Sequence, residues 1–167
     1  APALLWAEEQ VRALGGEGQH EFVRADVFGW LKAQAGKGQL FDVVIVDPPT
    51  YSKTKHTRWT SGADWVELTA LAAAVASPTG VLLLSSNDRR MSPRAFRQHI
   101  EAGLTLAGRP GRIVDSPTSH DFPAPPSGPT LKSCFVELGA ARAGDRPRTL
   151  PRPTPTARRP SERGGAT

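Results

Sequence analysis

Cysteine is nearly absent from this sequence: Cys134 is the only one in 167 residues. A lone cysteine cannot close an internal disulfide, so no disulfide framework is expected, and a reducing, cytoplasmic setting is the natural expectation. Long apolar runs are missing too. None approaches the roughly 20 residues that a membrane-spanning helix needs, so no membrane association is expected. The first residues, Ala1-Pro2-Ala3-Leu4, show no signal-peptide pattern. The four histidines (His20, His56, His99 and His120) are scattered, and the cysteine falls in an apolar segment, so no metal-ligand set is visible.

Acidic charge is scarce in one place only. From residue 139 onward there are seven arginines (Arg142, Arg146, Arg148, Arg152, Arg158, Arg159 and Arg163) against Asp145 and Glu162. Residues 1–138 are balanced, with 14 basic and 14 acidic side chains. The net charge of +5 therefore belongs to the C-terminal segment. That segment is rich in Pro, Arg, Gly and Thr and poor in apolar residues. It cannot bury enough surface to offset its ordering entropy, so 139–167 reads as a disordered basic tail. It is either a solvated extension or a nonspecific tether for RNA phosphates. Hydrophobic residues make up 38% of the chain and charged residues 22%, which fits one soluble domain in 1–138.

Within that domain, strand and helix patterns alternate. Leu4, Ala7, Val11 and Leu14 recur at helical spacing, and Gly15-Gly16 ends the helix. Residues 20–25 read as a strand and 27–35 as a helix. Residues 42–46 are an unbroken apolar run after Asp42, as in a strand buried on both faces of a parallel sheet. Ser61 with Asp64 resembles a capping box and predicts a helix to about Ala76. Residues 81–86 are the next buried strand. Ser92 before Pro93 predicts an N-cap and a helix to about Leu106. Residues 112–115 and 131–138 are the last strands. The pattern predicts an α/β fold with a mostly parallel sheet. A doubly wound domain normally opens with a strand and a glycine-rich turn. Here Gly15-Gly16 follows a helix and lacks the G-x-G-x-x-G spacing, so the chain is expected to be incomplete at its N-terminus.

The most informative segment is Asp47-Pro48-Pro49-Thr50-Tyr51, directly after the strand at 42–46. In open α/β sheets ligands bind beyond the carboxyl ends of strands. Two prolines restrict the backbone there, so the carbonyls and the Asp47 side chain keep fixed directions. Tyr51 offers a flat face on which a base can stack. The bland alternative is a strand end followed by an ordinary loop. In residues 52–60, Lys53, Lys55, His56 and Arg58 are interleaved with Trp59, which suits phosphate contact and base stacking, or simply a solvated loop. Arg89-Arg90 follows the strand at 81–86 on the same side and has the same two readings.

These residues resemble the class I S-adenosylmethionine-dependent methyltransferases, in which an acid-Pro-Pro-aromatic motif follows the fourth strand. The run from Asp47 to Lys55 is similar to the D-P-P-T-F-S-x-S-K of the domain that makes 7-methylguanosine in bacterial 23S ribosomal RNA. Leu84-Ser85-Ser86-Asn87-Asp88-Arg89-Arg90 is similar to its F-S-N-N-K-R, and Ser119-His120-Asp121-Phe122 with Lys132-Ser133-Cys134-Phe135 to its Q-D-F and H-x-C-W. The resemblance covers nearly all of 1–138 and none of the tail. It implies a Rossmann-like fold lacking its first two strands, S-adenosylmethionine as cofactor and RNA as partner. It places Asp47, Pro48, Pro49 and Tyr51 at the reacting centre, with Asp47 bordering the donor too. Asp26, alone an ordinary helix cap, becomes the carboxylate that accepts from the adenine amino group, with the Val27 N–H on the ring. Lys53, Lys55, Arg58, Arg89 and Arg90 become RNA contacts.

The chemistry narrows the target. Guanine N7 has a free lone pair and no proton to lose, so the absence of an obvious general base is no obstacle. Cytosine C5 needs a cysteine nucleophile, and Cys134, inside a predicted strand, is the only candidate. Ribosomal RNA guanine N7 is thus preferred to cytosine C5, the alternative that the related 5-methylcytosine enzymes represent. A catalytically inactive RNA-binding piece is a second reading, since the family's glycine-rich loop is missing. A nicotinamide enzyme is a third, without its own fingerprint. In the family strand order 3-2-1-4-5-7-6, loss of strands one and two would leave 42–46 as an exposed edge. The chain alone is then expected to bind donor poorly, transfer no methyl group and aggregate.

Overall fold

The computed structural model describes residues 2–16, 18, 20–53, 58–60, 64–116 and 131–139. The basic segment after residue 139 and the 119–122 motif lie outside them.

Four helices and six strands are present among the described residues. They follow in the order α1 (Pro2–Ala13), α2 (Val27–Gly36), β1 (Phe41–Val46), β2 (Tyr51–Lys53), β3 (Arg58–Thr60), α3 (Asp64–Ala74), β4 (Ala76–Ser86), α4 (Pro93–Ala107), β5 (Gly111–Asp115) and β6 (Lys132–Leu138). The main sheet has the order β1-β4-β6-β5. This is the fourth, fifth, seventh and sixth strand of the expected series, and β1 is an edge.

The expectation of a mostly parallel sheet fails for this part of the fold. β1 and β4 are parallel, but β6 runs antiparallel to both β4 and β5. β1 and β4 are linked through α3, the crossover that parallel pairing needs. Residues 20–24 form no strand, contrary to the alternating pattern there. A strand exists only with a ladder partner, and no described strand pairs with this one. Residues 52–60 also depart from the expected open loop: β2 and β3 form a two-stranded ribbon, with Lys53 opposite Arg58. Ser61 lies outside the described residues; α3 begins at Asp64.

One face of the sheet carries the core. Leu82 and Leu84 of β4 and Cys134, Val136 and Leu138 of β6 alternate inward, where they join Trp65, Leu68 and Leu71 of α3 and Phe96, Ile100 and Leu104 of α4. The period-two alternation of the strands thus meets the 3.6-residue stripe of two helices. α4 starts where expected: the Ser92 side chain accepts from the Ala95 N–H, with Pro93 at the first turn. It ends at Gly108, whose φ of 63° suits a residue without a Cβ. Arg109 then donates to the carbonyls of Ala73, Ala76 and Ser77, fastening the α3–β4 junction, and burial lowers its pKa.

The opposite face is less covered. Val43 is 61% and Ile45 67% exposed, although both belong to an apolar run suited to the middle of a sheet. A row of rings crosses the covered side: Phe28 to Trp59 at 6.1 Å, Trp59 to Trp65 at 5.7 Å, and Trp65 to Phe96 at 5.0 Å between centroids. It links α2, β3, α3 and α4.

Candidate functional site

Because β1 and β4 are parallel neighbours with Val46 opposite Leu84, the turns that follow them leave the same end of the sheet. Two hydrogen bonds set the turn after β1. The indole Nε1–H of Trp59 donates to the carbonyl of Pro49 at 2.6 Å. The hydroxyl of Thr50 donates to Oδ1 of Asn87 at 2.8 Å, joining the turn after β1 to the turn after β4. Asp47 is exposed, Pro48 is half-buried, and Tyr51 opens β2 with 53% of its surface exposed. An acid and an aromatic ring therefore stand at this end of the sheet, on a turn held by two hydrogen bonds.

Asp26 and Val27 approach from α2. Asp26 is the N-cap, and its Oδ1 accepts from the Gly29 N–H at 3.0 Å. Val27 is the first helical residue, so its N–H has no partner within the helix ladder. One residue on, Phe28 packs on Trp59. Trp59 therefore stands between the turn at Asp26 and the turn at Pro49. Trp59 thus links the first turn of α2, through Phe28, to the turn after β1, through Pro49.

The reading of Trp59 as a stacking surface in a basic loop is thereby corrected. It is buried, its ring edges meet Phe28 and Trp65, and its N–H is engaged by Pro49. Of the cations predicted nearby, Lys53 and Arg58 lie opposite each other in the ribbon, whereas Lys55 and His56 lie outside the described residues. Arg89 is exposed. Arg90 is gripped by Asp88, with Nε to Oδ1 at 3.0 Å and Nη2 to Oδ2 at 3.1 Å. That hydrogen bond, and then the Asp88 charge, raise its pKa.

The sequence gives Asn87 and Asp88 no role of their own beside Arg89 and Arg90. Asp88 is buried, and the buried Lys132 donates from Nζ to the Asp88 carbonyl at 2.9 Å. Burial lowers the Lys132 pKa, opposed by the Asp88 charge. An acid two residues before an arginine was the available signal, because such a pair closes a tight turn on itself; the partner across the sheet, 44 positions away, left none. Cys134 faces the core beside Leu84 in the neighbouring strand. Burial, and then the charge of Asp115, push its thiol up to about 11, with Arg97 opposing. Among the described residues no group of three or more His, Cys, Asp or Glu could hold a metal, and no helix is long and apolar enough to cross a membrane.

No family model matches the chain. It is 33% identical over 95 residues to the ribosomal RNA large subunit methyltransferase I of Salmonella arizonae, covering 57% of this chain and 24% of the relative. The protein of the same name from Aeromonas salmonicida is 31% identical over the same shares. The chain thus matches about a quarter of the length of these curated relatives. Among solved structures, the SAM-dependent methyltransferase from Agrobacterium tumefaciens superposes with a TM-score of 0.59 at 19% identity, over 83% of this chain and 46% of that one. SMU.776, assigned as a methyltransferase and solved with SAH, gives a TM-score of 0.61 at 22% identity, over 72% and 32%. The fold is therefore the Rossmann-like α/β fold found in SAM-dependent methyltransferases.

Proposed function

We propose that this chain forms the adenine side and the target-base side of an S-adenosylmethionine-dependent methyltransferase acting on ribosomal RNA, with guanine N7 as the target atom. The observation that carries this reading is the Thr50–Asn87 hydrogen bond. It locks the Asp-Pro-Pro-Thr-Tyr turn to the turn after β4, at the end of the sheet where open α/β folds bind ligands. The relatives named above, called ribosomal RNA methyltransferases, support the same substrate class.

The residues fit such a donor at its adenine end. A carboxylate has about four lone-pair sites, so Asp26 can cap α2 and also accept from an adenine amino group. The Val27 N–H, at the first helical position, suits a ring nitrogen. When bound, the donor supplies a methyl group already activated on sulfur. The protein's part is to align an acceptor lone pair with that methyl and to exclude water. Tyr51 would stack on the base, and the rigid Asp47–Pro49 backbone would fix its distance. Lys53, Lys55, Arg58, Arg89 and Arg90 would contact the RNA backbone, Arg90 while held by Asp88. Such a substrate places the reaction in the cytoplasm.

The state of Cys134 favours nitrogen over cytosine C5. Carbon methylation needs a thiolate that reaches the ring, and this thiol is buried in the sheet with its pKa raised. A non-catalytic RNA-binding piece remains the second reading, since no strand followed by G-x-G-x-x-G occurs in the sequence. The test is transfer of labelled methyl from S-adenosylmethionine to 23S ribosomal RNA, followed by digestion to nucleosides. With a strand and glycine-rich turn supplied by fusion to a relative's N-terminal part, label in 7-methylguanosine is expected, and the chain by itself should give none. Label in 5-methylcytidine would move the target to carbon, and RNA binding without label would leave the non-catalytic reading standing.

Residues 139–167 would add phosphate contacts as a basic tether outside the domain formed by 1–138. Deleting them should flatten the dependence of log affinity on log salt by up to about six, from seven arginines at roughly 0.9 per phosphate contact. An unchanged slope would make the segment a solvated extension.

A further inference from the structure

We infer that Asn87 reads the target base, offering its side-chain N–H groups to a carbonyl oxygen on the base edge and so selecting guanine against adenine. The inference rests on the proposed RNA target and deepens it. Asn87 directly follows Ser86, the last residue of β4, and is exposed at the sheet end that also presents Tyr51. Its orientation is set by Thr50, whose hydroxyl donates to Oδ1 at 2.8 Å. With Oδ1 turned to Thr50, the other end of the amide, Nδ2 with two N–H donors, is the group best placed for a ligand.

An unconstrained asparagine suits adenine, because Oδ1 accepts from the N6 amino group while Nδ2 donates to N7. Thr50 disfavours that option, because it takes one of the two lone pairs of Oδ1 and holds the amide with Nδ2 outward. What remains matches guanine, whose O6 is an acceptor beside N7. Adenine N6 and cytosine N4 would both present donors to a donor. A base held through O6 also leaves its N7 lone pair available as the acceptor of a methyl group. Thr50 and Asn87 thus form a pair in which the first sets what the second can recognise.

The test measures binding of the full chain to short single-stranded uridine RNAs that carry one guanosine or one adenosine, by fluorescence anisotropy. Wild type should prefer the guanosine RNA by about tenfold, the scale of one hydrogen bond made against one lost. Asn87→Asp keeps an acceptor for Thr50 but turns the outer donor into an acceptor. It should weaken binding to both RNAs through its charge and reverse the preference. Thr50→Val releases the amide to turn over and should bring the ratio toward one. A guanosine preference that survives both substitutions overturns the role of Asn87 and leaves the RNA reading intact. Equal binding of both RNAs by wild type does the same. No detectable binding of either RNA overturns both.

Discussion

At the residue scale, the site depends on side chains that hold the backbone as much as on those that face outward from it. Trp59 and Thr50 fix the turn that displays Asp47 and Tyr51. In the chain fused to a relative's glycine-rich N-terminal part, replacing Asp47 or Tyr51 by Ala should lower single-turnover methyl transfer to ribosomal RNA on the order of a hundredfold, as misplacement of a reactant does. The dissociation constant of S-adenosylmethionine should change little. If transfer and donor binding fall together, both residues serve the donor instead. Cys134 gives a prediction in pH. Its thiol, ordinarily at 9.0, lies at about 11 in the fold. The folded chain holds the neutral form while the unfolded chain ionises first. Stability from this group is therefore complete below about pH 9 and lost between about 9 and 11, by up to about 2–3 kcal/mol. Urea unfolding of wild type and Cys134→Ala should diverge across that window, and a constant difference between them would refute the burial argument. The turn from Asp47 to Tyr51 was legible as the end of a strand because two prolines directly follow an apolar run. Trp59 was misread because an aromatic among basic residues looks the same whether it faces water or the core.

At the element scale, two helices approach more closely than ordinary side chains permit. A Cβ on Gly103 of α4 would lie 2.6 Å from Thr69 Cβ and 2.7 Å from the Val66 carbonyl of α3. Gly103→Ala should therefore cost about 1–3 kcal/mol by forcing the helices apart, despite alanine's better helix propensity. Thermal unfolding would show it; a variant as stable as wild type would mean that the α3–α4 contact yields freely. Local chemistry made helix ends readable: Ser92-Pro93 opens α4, and Asp26 caps α2. Strands were readable only where partners exist. The segment at 20–25 carries no trace of whether a neighbouring strand is there to pair with it. Strand direction was hidden in the same way, since antiparallel β6 inserts between β4 and β5 from a distant part of the chain.

For the whole molecule, the edge and outer face at β1 are the features from which behaviour in solution is expected to follow. Val43 and Ile45 present apolar surface beside backbone groups that no described strand pairs, an arrangement that invites association. Ile45→Lys should leave stability within about 0.5 kcal/mol, as surface substitutions usually do, while reducing concentration-dependent association in sedimentation velocity. Association that persists unchanged would locate the adhesive surface elsewhere. The row of rings from Phe28 to Phe96 has a consequence of another kind, an optical one. Trp59 and Trp65 lie 5.7 Å apart, close enough to exchange excitation, and Trp59 alone of the two is tethered to Pro49. With Trp6 and Trp30 replaced by Phe, the remaining indole emission would come from this pair. Whatever draws Pro49 away from Trp59 would then alter the colour and lifetime of light emitted from the centre of the core, so that occupation of the site could be watched without labelling the RNA.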